Sequence, residues 1–110
     1  MHSSHLIAYF FGGAFLTNAI PHFVAGVMGS PFQTPFANPP GKGLSSCNVN
    51  VAWGFFNLLA AFFLLVRIGH FNLRHTPAAA AFGVGVLVMG FVCAQAFGPL
   101  HGGANPTEKK

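Results

Sequence analysis

His22, set inside the apolar run NAIPHFVAGVMG, is the residue best placed to do chemistry. An imidazole can donate or accept a hydrogen bond, ligate a metal or bind a haem iron. An ionisable group inside an apolar span is a candidate functional residue by default. Asn18 lies one helical turn before it, and Asn50, Trp53 and Asn57 recur at helical spacing further along. If the chain doubles back, these five residues face one another and could line a pocket for a quinone, a haem, a metal or a lipid head group. Cys47 and His101 return to the same side, so His22, Cys47 and His101 are the candidate metal ligands. Their spacing follows neither HExxH nor CxxC. The competing reading is a core histidine held by Asn18 or by the Thr17 carbonyl that Pro21 frees. A bis-histidine haem would need a second His22 across a symmetric dimer. His2, His5, His70 and His75 gather at the opposite rim without ligand spacing and read as amphipathic interface residues.

The elements that must position these groups are apolar helices. Hydrophobic residues make up 53% of the 110 and charged ones 5%, and the only carboxylate side chain is Glu108. A water-soluble domain carries about a quarter charged residues. Three segments, Leu6–Val27, Val49–Ile68 and Ala78–Phe97, reach the ~20 residues needed to cross a bilayer. The sequence therefore predicts an all-α membrane protein with one domain and transmembrane helices over about 6–28, 49–68 and 78–98. A polar tail at 102–110 completes it. Leu6 to Leu16 has the apolar length of a secretion signal, but MHSSH lacks the basic residues that precede one.

Between the first two helices lies SPFQTPFANPPGKGLSS, whose Pro31, Pro35, Pro39 and Pro40 exclude a regular helix. Its scarcity of charge predicts an ordered Pro-rich loop lying on the membrane surface or folded over the bundle mouth. Asn48 or Asn50 is the expected cap of the second helix, and Pro77 suits the first turn of the third. Lys42, Arg67, Arg74, Lys109 and Lys110 sit at helix ends as interfacial anchors, which excludes a nucleic-acid surface. Arg67 and Arg74 place the second loop on the cytoplasmic side.

Placed on helices, the small and polar residues form stripes: Ala14, Asn18, His22 and Gly26; then Asn50, Gly54, Asn57 and Ala61; then Ala79, Gly83, Gly90 and Ala94. Small residues let helix backbones approach closely and asparagines bond between helices, so all three stripes are expected to face inward. Gly26, Gly54, Gly83 and Gly90 are the expected packing glycines.

The run NAIPHFVAGVMGSPFQTPFANPPGKGLSS, continuing into NVNVAWGFFN, resembles a group of uncharacterised small bacterial integral membrane proteins. The matching residues are His22-Phe23, Pro31-Phe32, Pro35-Phe36, Pro39-Pro40-Gly41 and Trp53-Gly54, within residues 18 to 57. That likeness implies a bacterial inner membrane and carries no activity with it.

Spans without carboxylates exclude Asp/Glu proton relays and disfavour cation-coupled transport, and no nucleophile–base pair is evident. The expectation is a non-enzymatic accessory or scaffold subunit in the lipid bilayer, packing as a homo-oligomer or against a larger membrane complex. The rival is a membrane ligand- or cofactor-binding protein using Asn18, His22, Asn50, Trp53 and Asn57. A small channel comes third.

Overall fold

In the computed structural model, residues 3–106 are described; His2, Glu108, Lys109 and Lys110, to which the sequence assigned roles at the two ends, lie outside them. Helix α1 spans Ser3–Val27 and α2 spans Cys47–Phe62, continued by a π-helical turn at Phe63–Ile68. Helix α3 covers Thr76–His101. All three are long and apolar enough to cross a membrane. The shortest such segment, 22 residues from Cys47 to Ile68, spans about 33 Å at ~1.5 Å per residue, against a hydrocarbon core of about 30 Å.

Helix α1 is the middle element, with α2 packed along one side and α3 along the other. Gly12 and Gly13 explain how one helix serves two neighbours. Successive positions on a helix point about 100° apart. A Cβ on Gly12 would meet the Leu65 side chain of the π-helical turn at 2.5 Å, whereas one on Gly13 would meet the Phe82 carbonyl of α3 at 2.3 Å. α1 runs on through Pro21 without a break.

Several boundaries differ from the sequence reading for local reasons. Ser46, not Asn48 or Asn50, caps α2, accepting a hydrogen bond from the Val49 amide at 3.2 Å. His75 precedes the first turn of α3, where Pro77 sits as expected. The far end of α3 does not stop near residue 98 but runs through Pro99 to His101, closed by Gly102 at φ +80°. That left-handed backbone is the usual glycine terminator.

The first connection folds back on itself. Phe32–Gln33 (β1) pairs antiparallel with Leu44–Ser45 (β2), Phe32 opposite Ser45. Thr34, 1% exposed, ties the excursion between them: its carbonyl accepts from the Gly41 amide at 2.8 Å. Its hydroxyl accepts from the Phe36 amide and meets the Ser45 hydroxyl. At the opposite end, buried Tyr9 anchors the second connection by accepting from the His70 amide at 3.1 Å.

Candidate functional site

The stripe Asn50, Gly54, Asn57 and Ala61 is the buried face of α2. Gly54 lies against the Phe23 backbone of α1, and Gly26 of α1 lies against Val51 and the Cys47 carbonyl of α2. Both glycines thus bring the first two helices into close approach. Gly83 and Gly90 do not share that role within the chain: a Cβ added to either meets nothing within 4 Å. The inward expectation for the third stripe is corrected, because α3 turns a different face to α1. Its buried residues are Ala78 and Gly85, and a Cβ on Gly85 would lie 1.9 Å from the Phe10 carbonyl.

Two polar chains cross the interior, and their directions follow from which atoms can only accept. Asn57 Nδ2 donates to the Trp53 carbonyl at 2.8 Å, so its Oδ1 faces Asn18 and accepts from Asn18 Nδ2 at 3.1 Å. Asn18 Oδ1 then accepts from Cys93 Sγ at 3.6 Å. This chain links all three helices. In the second, Asn50 Nδ2 donates to the carbonyls of Phe32, Ser45 and Ser46 at 3.0 to 3.2 Å. Asn50 Oδ1 is therefore the atom 3.0 Å from His22 Nδ1. An amide oxygen only accepts, so Nδ1 carries the proton, and in the neutral imidazole Nε2 keeps its lone pair.

His22 is 2% exposed and its ring is edged by Phe32, Trp53 and Phe97 at centroid distances of 5.4 to 6.4 Å. Neither expected partner holds it: Asn18 is engaged by Asn57 and Cys93. The partner, Asn50, arrives only because the first connection brings α2 alongside.

The metal set does not assemble. Among the described residues, no three His, Cys, Asp or Glu side chains gather as a metal site requires. His101 Nε2 instead donates to Gln33 Oε1 at 2.7 Å, with its ring stacked on Phe32. Cys47 and Cys93 are both free thiols.

The geometry does leave a hollow. α2 and α3 each pack on α1 and stand apart from one another, and residues of the first connection border the gap. The pocket has a volume of about 360 Å³, with Asn18 and His22 at its base, Trp53 and Phe97 on its walls and Gln33 and Thr34 above. Trp53 Nε1–H is buried without a hydrogen-bond partner, a deficit worth about 1–3 kcal/mol for a neutral donor. Sequence reasoning found Asn18, His22 and Trp53 here but missed Gln33, Thr34 and Phe97. Gln33 and Thr34 are positioned by a strand pairing that has no periodic signature.

Compared with protein-family models, characterised proteins and solved structures, the chain matches none.

Proposed function

We propose that this chain is an all-α integral membrane protein with three transmembrane helices and a Pro-rich loop over one mouth, set in the bacterial inner membrane. It acts as a non-catalytic accessory or scaffold subunit and packs through α3 against its own copies or a larger membrane complex. The observation that carries this reading is the outward face of α3. Gly83 and Gly90 stand open there, beside exposed Val84, Leu87 and Phe91. Lipid alone gives no reason for glycine at such positions, where it costs about 1 kcal/mol of helix propensity relative to alanine. Close approach of another helix does. Consistent with that, the polar residues between α1 and α2 are largely spent on one another, as parts of a scaffold would be.

The test is native mass spectrometry of the protein extracted gently from its own membrane. The expected result is a mass of several copies, or of this chain with another polypeptide, that falls to the single chain in Gly83→Leu and Gly90→Leu. A single-chain mass for the unaltered protein would overturn the proposal.

A further inference from the structure

We propose that the hollow over α1 binds a lipid-soluble phenol: an aromatic ring with a free hydroxyl and an apolar chain. The inference does not depend on whether α3 has a partner. One atom sets the chemistry. Asn50 fixes His22 with its proton on Nδ1, which leaves Nε2 as an acceptor, and His22 lines the hollow. Trp53 lines it too, its ring edge to face with the imidazole. A hydroxyl is a neutral group that meets the need of Nε2 by giving it a proton.

Other head groups fit less well. The lining holds no Lys, Arg, Asp or Glu, so a charged head would be desolvated without a counterion. A carboxylate or phosphate would also face the imidazole lone pair. An aromatic ring suits the walls, where His22, Trp53 and Phe97 already meet edge to face. For the apolar chain, Trp53 is shared with a neighbouring groove of about 420 Å³ lined by Phe36, Val49, Ala52 and Phe56.

Trp53 is the only tryptophan, so its fluorescence reports occupancy directly. The full chain in phosphatidylcholine nanodiscs is titrated with 4-hexylphenol and with 4-hexylanisole, the methyl ether that cannot donate. The expected result is a saturable change with the phenol and binding about tenfold weaker for the ether, the ~1.4 kcal/mol that a buried hydrogen bond supplies. His22→Phe should lower phenol affinity to the level of the ether and leave the ether unchanged. Ala96→Leu, which fills the hollow from the α3 side and disturbs no hydrogen bond, should abolish both while helical circular dichroism is retained. Equal affinities for phenol and ether would overturn the proposal, as would binding that never saturates. Full binding by a folded Ala96→Leu would do the same.

Discussion

The two seams of α1 are built on different principles. Against α2 it sets Asn18, His22 and Gly26, and two of these three are hydrogen-bonded across the seam to Asn57 and Asn50. Against α3 it sets Gly13 and the Phe10 backbone, where Gly85 and Phe82 come into direct contact. The only polar link reaching α3 from Asn18 is the long Cys93 thiol contact. A polar seam specifies register, because a one-residue slip strands buried donors and acceptors. A glycine seam specifies distance, because it depends on the absence of side-chain atoms at two or three points. The second therefore tolerates enlargement least.

Enlargement of the α3 seam should accordingly have the largest effect. Gly85→Leu has to place a whole side chain where even a Cβ would lie 1.9 Å from the Phe10 carbonyl. We expect a loss of about 3 kcal/mol or more, at the severe end of overpacking, in unfolding from mixed micelles followed by circular dichroism. Gly83→Leu, two residues away, should leave the stability of the single chain unchanged. Equal losses in the two variants would mean that α3 is not held by the Gly85 face.

That contrast also shows why the sequence was legible on one side of α1 and not on the other. On α2, beyond Asn48 in the first turn, Asn50 and Asn57 are the asparagines of an otherwise apolar helix, and the stripe through Gly54 and Ala61 is the arrangement that keeps both from lipid. On α3 nearly every residue from Ala78 to Val92 is apolar or small. Spacing then fits several faces equally, the stripe through Gly83 and Gly90 as well as the one through Ala78 and Gly85 that makes the contact. His22 and Trp53 could be nominated because their types are rare inside a span. The partner of His22 could not, since it depends on the pairing of Phe32 with Ser45, and two-residue strands leave no pattern. Ser46, Asn48 and Asn50 are all residue types that cap helices, so the sequence does not single out Ser46.

Breaking the polar seam at its most connected residue should rank second. Asn50→Ala removes the acceptor for His22 and the donor for three loop carbonyls together. A loss of about 2–3 kcal/mol is expected, since each buried group left unpaired costs of the order of 1–3 and the opened loop readmits water to some of them. Limited proteolysis distinguishes the cause. Cleavage within residues 30–46 should rise sharply in Asn50→Ala and stay at the unaltered level in Asn57→Ala. A loop equally protected in both would remove Asn50 from its anchoring role.

The smallest effect should lie where the two seams meet, in the chain Cys93 to Asn18 to Asn57 to the Trp53 carbonyl. Hydrogen bonds between helices in a bilayer average about 0.6 kcal/mol, because the separated helices also find partners. A double-mutant cycle on Asn18→Ala and Asn57→Ala should return a coupling of that size. Cys93→Ala should cost less still: a thiol is a weak donor, and 3.6 Å is within the range at which sulfur bonds. If Cys93 is the only polar tie of α3 to Asn18, the Asn18/Asn57 coupling measured in a Cys93→Ala background should be the same. Asn18 would then lose an acceptor contact on the α3 side while its donor geometry toward Asn57 is untouched. A coupling that collapses with Cys93 would mean that the thiol orients the Asn18 amide, and that the polar seam is set from α3 rather than closed between α1 and α2.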